Sequence, residues 1–420
     1  MATPLPPNRA PFTLDEVLSA TGGAVVAGGD CRVEGVGTDS RALAPGQAFV
    51  ALRGERFDGH EHVARAAAAG ARLALIDREV AAPPGLTLVR VPDTLRALGA
   101  LALAHRLRWA AAPSAGPRRA VVAVAGSVGK TTTRRAVATA LAALGRAVHA
   151  SAGNLNNAVG IPIVLLGLGP EHDAAVVEVG TSSPGEVAYG ASLARPDVAV
   201  LTRVAVEHAE GLGGLDDIAR EEGAIFEALG PEGVAIANAD DEHCAAQLAR
   251  VAAPRRRVAY GRAAGADVRL LGREPRGLVG SRLRASLPSA AGDPPAEHAF
   301  HTPLLGDAGA YATCAALAVA HALAPDALAG ASLERAFAPL ARDREPGRLA
   351  PIALGDGTVV LDDTYNANLA SVAAGLDAAR ELAAELGRRL VVVLGEMREL
   401  GPLAAAEHDE AARLAAAAAP

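Results

Sequence analysis

Residues Ala120 to Thr133 read AVVAVAGSVGKTTT: an apolar run of six, a turn holding two glycines, then residues that can open a helix. A short run with neither charges nor polar alternation suits a strand buried on both faces, as in a parallel sheet. Gly126 and Gly129 let the backbone curl, so that the N–H groups of Gly126, Ser127, Val128, Gly129 and the following residues converge on phosphate oxygens. A helix N-terminus adds a dipole that favours negative charge. Lys130 is then placed to reach the β- and γ-phosphates of ATP, and Thr131, followed by Thr132, to ligate Mg2+. The strict GxxxxGK[ST] pattern fails at one point, because Val124 occupies the first glycine position. Of the 40 basic residues Lys130 is the single lysine; all others are arginine. A compact ammonium kept at this position suits a phosphate contact that a planar guanidinium does not.

Working outward, the apolar runs Ala174–Val179, Val198–Thr202 and Gly233–Ala237 alternate with longer Ala/Leu patterns of helical period. This is the signature of βαβ units and a parallel sheet. The small, Pro/Gly-rich segment Ala112 to Arg119 reads as a linker, so residues 114–324 form a central P-loop ATP-binding domain. Within it, Arg269 to His301 reads as a peripheral strand-and-loop excursion before a helix from about Gly309 to Leu323. After Pro325 the pattern restarts with a helix (Ser332–Leu340), a strand (Thr358–Leu361), a helix (Ser371–Leu386) and a strand (Leu390–Leu394), giving a shorter α/β domain over 325–420. Residues 1–113 form a small α/β domain, with strands at Gly35–Thr38, Ala48–Leu52 and Leu73–Ile76 around a helix at His62–Ala69. The expected class is therefore three-domain α/β, which 420 residues accommodate.

The 40 basic and 47 acidic residues give a net charge of −7, without a basic block able to follow a phosphate backbone, so nucleic acid is not an expected partner. Cys31, Cys244 and Cys314 lie far apart without CxxC spacing, which argues against a disulfide framework or a zinc site. The start of the chain, MATPLPPNRAPF, lacks the apolar core of a signal peptide, and no long apolar stretch reads as a membrane span. A soluble, cytoplasmic protein is expected.

Further chemistry sits in three places. Glu178 ends the run Ala174–Val179, where a P-loop enzyme holds its metal on a neighbouring strand, although many strand-end glutamates are merely solvated. Asparagine is rare, with seven in the chain, yet Asn154, Asn156 and Asn157 fall in GNLNN, and Asn366 and Asn368 in DDTYNAN. Their amides suit a polar, peptide-like ligand; Asn-rich turns are the bland alternative. Asp39, Ser40 and Arg41 bring a carboxylate, a hydroxyl and a guanidinium to a strand end, either for binding or as a capped turn with a surface ion pair.

Taken together these segments resemble the Mur ligase family over nearly the whole chain. The matching stretches are TDSR (Thr38–Arg41), PGQAFVAL (Pro45–Leu52), DGH (Asp58–His60), GSVGKTTT (Gly126–Thr133), GNLNNAVGIP (Gly153–Pro162) and EVGTSSPGEV (Glu178–Val187). EHAEGLGGLDDIA (Glu207–Ala219), NADD (Asn238–Asp241), Gly347-Arg348, DDTYNAN (Asp362–Asn368) and GEMRELG (Gly395–Gly401) follow in order. GNLNN with DDTYNAN points to the D-alanyl-D-alanine-adding branch. The resemblance implies a UDP-substrate-binding N-terminal domain, the central ATPase domain and a Rossmann-like C-terminal ligase domain, here shortened. It further implies an ATP-dependent ligase of peptidoglycan precursor synthesis, monomeric, with UDP-MurNAc-tripeptide and D-alanyl-D-alanine as substrates.

By resemblance, Lys130 and the loop bind ATP, Thr131 and Glu178 hold one Mg2+, and His208 holds a second metal. Arg348 and Asp363 reach the nucleotide from the third domain. Asp39, Ser40 and Arg41 contact the nucleotide-peptide, and the two Asn clusters contact the peptide ends. Glu222 stands where the family uses a carbamoylated lysine, and supplies a shorter, permanent carboxylate. Ala308, Gly309 and Ala312 replace the HNxxN side chains around the adenine. The competing expectation is a Mur-like nucleotide- and substrate-binding protein with weak or no ligase activity.

Overall fold

In the computed structural model the described residues are 6, 8–55, 57–113, 116–289, 294–325, 330–342 and 344–419. The run Ala120–Ala125 is an interior strand of a nine-stranded sheet, and every one of its residues is buried. Strands Ala174–Glu178 and Val148–Ala150 lie on one side of it. On the other side follow Val198–Leu201, Val234–Asn238, Arg256–Gly261 and Val268–Pro275, all parallel. Ser281–Leu287 and Ala296–Thr302 extend that edge as an antiparallel pair. The region expected to be a peripheral strand-and-loop excursion is thus part of the main sheet. Its strands alternate, as in Ser281–Leu287 with buried Ser281, Leu283, Ala285 and Leu287 and outward Arg282 and Arg284, although the polar Ser281 on the buried face blurs the period.

Alternate residues of the central strand divide between two cores. Val121, Ala123 and Ala125 face helices Thr94–Ala111, Gly160–Leu166 and Glu186–Ala194, whereas Val122 and Val124 face Lys130–Ala143 and Gly306–Leu323. Because the sheet is covered on both faces, its strands can dispense with polar alternation.

The N-terminal domain holds a five-stranded sheet, Ala24–Ala27, Thr87–Arg90, Leu73–Ile76, Ala48–Val50 and Val36–Gly37, parallel except for the first. Helix Thr94–Ala111 leads from it onto the central sheet. There Arg106, 6% exposed, donates from Nε to Ala194 O at 2.9 Å and from Nη2 to Arg195 O at 2.8 Å.

In the C-terminal domain, Ala350–Ala353 pairs antiparallel with Val359–Asp362, and helices Leu369–Leu386 and Ala404–Ala418 pack together. Leu390–Leu394, expected as a strand, is not one. No ladder forms there among the described residues, and Val391 and Val393 are exposed. An apolar run rich in β-branched residues becomes a strand only where a neighbour takes up its backbone hydrogen bonds. Helix Ser332–Leu340 is divided into an α-helix, Gly330–Ala336, and a 3-10 turn, Ala338–Ala341.

Candidate active site

The turn after the central strand lies where the strand order reverses, at the carboxyl ends of the parallel strands, the place where doubly wound sheets form a ligand crevice. Gly126 takes φ +125°, and a Cβ there would stand 2.3 Å from Thr202 Oγ1, so no other residue fits. Two loop N–H groups are already engaged: Gly126 donates to Glu222 Oε2 at 2.7 Å and Ser127 to Arg203 O at 2.7 Å. The next ones, from Val128 through Thr132, run into the first turn of helix Lys130–Ala143, whose N–H groups have no acceptor within the helix. That turn presents its donors to an anion.

The Lys130 ammonium lies 2.5 Å from Gly126 O, 3.4 Å from Ser127 O and 3.2 Å from Glu207 Oε1. Burial alone disfavours its charge, but the carboxylates of Glu207, Glu222 and Glu178 overcome that and hold it above the ordinary lysine value. Glu222 is fully buried, and its second oxygen, Oε1, has no hydrogen-bond partner. Burial pushes its carboxyl well up, Lys130 pulls it down, and Glu207 adds to the rise.

Glu178, 2% exposed, accepts at Oε1 from Thr131 Oγ1 at 3.2 Å and from Asn156 Nδ2 at 2.9 Å. Its Oε2 stands 3.2 Å from Arg134 Nε without hydrogen-bond alignment. The hydroxyl of Thr131 and the partly unsatisfied carboxylate of Glu178 are hard oxygen donors beside a phosphate-binding turn, and this fits Mg2+. His208 makes no hydrogen bond to that pair of donors among the described residues. Its backbone is left-handed, at φ +49°, and Nδ1 contacts the Glu399 carboxylate of the C-terminal domain. Among the described residues no three His, Cys, Asp or Glu side chains cluster closely enough to hold a metal.

Across a cleft from Val128, Gly129, Thr131 and Thr132 stand Arg348 and Asp363, with Leu304, Leu305, Ala308 and Gly309 in the wall between. Arg348 stacks its guanidinium 4.1 Å from the centre of the Tyr365 ring. Asp363 accepts from Leu349 N at 3.0 Å, and burial raises its carboxyl above the usual value.

The asparagines separate by role. Asn156 joins Glu178, whereas Asn157 Oδ1 takes the N–H groups of Val159 and Gly160 and so starts the next helix. Asn368 caps helix Leu369–Leu386 through Ser371 N at 2.8 Å. Asn154 and Asn366 are exposed in their loops.

Asp39 and Arg41 pair with each other, Nη2 to Oδ2 at 2.7 Å, and Arg41 brings the Asp39 carboxyl down to about 2. They and the buried Ser40 lie beyond the carboxyl end of strand Val36–Gly37, without a hydrogen bond to the phosphate-loop cluster among the described residues. Glu207, Arg134, Glu345 and Glu399 belong to this site or its border, and the sequence reading did not single them out. Glu207 was the most accessible of them, since it adjoins His208 in a quoted motif.

A phosphate loop on a doubly wound sheet, faced across a cleft by a basic and an acidic residue of a separate domain, defines a nucleotide-binding α/β protein of multidomain type. Three family profiles match: the Mur ligase family catalytic domain over residues 32–106, the Mur ligase middle domain over 124–320, and the Mur ligase glutamate ligase domain over 347–419. The chain is 36% identical over 395 residues, 93% of this chain and 80% of the relative, to UDP-N-acetylmuramoyl-tripeptide–D-alanyl-D-alanine ligase of Escherichia coli K12. It is 33% identical to the Bacillus subtilis enzyme of that name, over 90% of this chain and 76% of the relative. A crystal structure of MurF from Acinetobacter baumannii superposes with a TM-score of 0.82 at 31% identity, covering 96% of this chain and 83% of that one. The chain belongs to the Mur ligase family, and within it is of the MurF type.

Proposed function

We propose that the protein joins D-alanyl-D-alanine to UDP-N-acetylmuramoyl-tripeptide, with ATP converted to ADP and phosphate. The observation that carries this reading is Glu178, whose one carboxylate bonds both Thr131 of the phosphate loop and Asn156 of the GNLNN segment. The nucleotide site and the amide-bearing segment therefore share a wall. A carboxylate is a poor electrophile, so the tripeptide's terminal carboxylate first attacks the γ-phosphorus, releasing ADP and leaving an acyl phosphate. The amine of D-alanyl-D-alanine then attacks the acyl carbon, forms the amide and expels inorganic phosphate.

Val128 to Thr132 bind the phosphates through their backbone donors, and Lys130 exchanges its carbonyl and Glu207 contacts for phosphate oxygens. Thr131 and Glu178 would hold Mg2+, which supplies charge neutralisation for the transferred phosphoryl group. Glu222 holds the start of the loop through Gly126 N and keeps negative charge beside Lys130. Arg348 and Asp363 close over the nucleotide and keep water from the acyl phosphate. Asp39, Ser40 and Arg41 contact the uridine nucleotide from the N-terminal domain, and Asn154, Asn366 and Asn368 contact the peptide ends. His208, paired with Glu399 at the domain boundary, would hold a second metal in this reading. No described helix is long and apolar enough to cross a membrane, and we place the protein in the cytoplasm as a monomer of three domains, 1–113, 114–324 and 325–420.

The test is incubation of purified protein with Mg-ATP, UDP-MurNAc-tripeptide and D-alanyl-D-alanine, with detection of ADP, phosphate and the pentapeptide product. ATP binding without substrate-dependent ADP release would instead identify a binding protein.

A further inference from the structure

Arg134 is the second buried cation of helix Lys130–Ala143. It is one turn beyond Lys130 and 4% exposed, and the chemistry above does not use it. Its Nε lies 3.2 Å from Glu178 Oε2, and its Nη2 lies 3.3 Å from Glu345 Oε2. Glu345 belongs to the connector that leads from the central domain into strand Ala350–Ala353. Its carbonyl accepts from Arg348 N at 3.3 Å, so it sits at the base of the turn that presents Arg348 to the cleft. Arg135 adds a second contact to the same carboxylate, Nε to Oε2 at 3.8 Å. One guanidinium thus spans two carboxylates, one in the phosphate site and one on the connector. Its planar fork directs separate nitrogens, Nε and Nη2, at the two carboxylates, whereas an ammonium would have to reach both from one atom.

The two ends of the bridge differ. The Nη2 contact with Glu345 is a hydrogen bond, whereas Nε and Glu178 Oε2 are adjacent but unaligned, and neither atom has another hydrogen-bond partner. A shift of the connector moves the guanidinium, and with it the field and the hydrogen-bonding direction offered to Glu178. The remaining Glu178 oxygen is fixed by Thr131 and Asn156, so the carboxylate turns about that anchored side.

We propose that Arg134 is a positioning residue that ties Glu178 to Glu345, so that the seating of the connector into the C-terminal domain sets the orientation of the carboxylate in the nucleotide site. The proposal rests on the ligase reading for its kinetic arm only. Glu345 then acts on the reaction through Arg134, and the two side chains form one energetic unit.

The test compares Arg134→Gln, Arg134→Lys, Glu345→Gln and the double variant Arg134→Gln/Glu345→Gln. It uses melting temperature, Mg-ADP affinity by calorimetry without turnover, and kcat and KM for ATP. Arg134→Gln is expected to lower kcat and Mg-ADP affinity by about tenfold, and Glu345→Gln by about threefold or more. The double variant is expected to be no worse than Arg134→Gln alone, and Arg134→Lys to recover less than half of the loss. Wild-type turnover and Mg-ADP affinity in Glu345→Gln, additive losses in the double variant, or changes confined to melting temperature would overturn the proposal. Should the wild-type protein fail to form the pentapeptide product, the ligase reading fails, and the Mg-ADP arm still decides on Arg134.

Discussion

Lys130 and Glu222 pose two separate questions within one buried cluster. The ammonium reaches two loop carbonyls and Glu207 from a flexible stem, a geometry that a planar guanidinium cannot reproduce in the same space. Lys130→Arg is expected to leave the fold intact and to lower kcat by about 10²- to 10³-fold, the usual cost of losing one aligned transition-state donor. Measured turnover within tenfold of wild type would show that charge alone suffices. Glu222→Gln keeps an oxygen for Gly126 N–H and removes a buried negative charge beside Glu207. The variant should therefore melt at or above the wild-type temperature while ADP release falls by about tenfold or more. Unchanged turnover would reduce Glu222 to a loop anchor. Composition made Lys130 legible, as a lone lysine, and the resemblance to the Mur ligases made Glu222 legible, as a glutamate where that family has a lysine. Arg134 and Glu345 were not legible, since arginine and glutamate are common here and their meeting depends on a chain separation that no local pattern records.

The same limit holds for whole elements. The central strands were readable as short apolar runs bounded by turns, but helix Thr94–Ala111 passed unnoticed. Thr94, Ala97, Leu98, Leu101, Ala102, His105, Arg106 and Trp109 are all buried, so apolar and polar residues mix on its covered side and no clean stripe forms. Its start is set by Asp93, whose carboxylate accepts from Arg96 N at 2.9 Å. His105 gives the helix a measurable signature. Its Nε2 donates to Leu168 O at 2.8 Å and its Nδ1 receives Arg108 Nη2 at 3.3 Å, so the neutral ring is the one that fits. Burial lowers its pKa, and Arg108 lowers it further against the Leu168 hydrogen bond. The unfolded chain therefore binds this proton more readily than the native one. Its contribution to stability is complete above the unfolded value of about 6.5 and is lost as pH falls below it. Burial lowers His149 in the same direction. The melting temperature should accordingly drop between pH 7 and 5.5, and His105→Gln, which can keep both hydrogen bonds, should flatten part of that drop. An unchanged slope in the variant would assign the pH dependence elsewhere.

At the scale of the whole molecule, Arg348 and Asp363 of the C-terminal domain line one cleft with the phosphate loop, so the proposed activity would depend on how that domain sits against the central one. The two domains pack tightly at Gly306, where an added Cβ would lie 2.9 Å from Ala378 Cβ. Beside it, Arg273 of the central sheet donates from Nη1 and Nη2 to the two oxygens of Glu381 on helix Leu369–Leu386, each at 2.7 Å, and from Nε to Asp307 at 2.6 Å. Glu385 of the same helix accepts from Gly277 N at 2.9 Å. The Arg273 side chain is 13% exposed and that of Glu381 29%, so the pair is neither fully screened nor fully desolvated. A bidentate pair in that setting is worth about 1 kcal/mol after screening. That corresponds to roughly a fivefold change in the population of the docked arrangement. Glu381→Gln should therefore raise KM for ATP or lower kcat by about that factor, increase the radius of gyration in small-angle scattering, and make both less sensitive to added salt than in the wild type. If the variant keeps wild-type compactness and salt response, the apolar contact around Gly306 and Ala378, rather than the Arg273 fork, holds the two domains together.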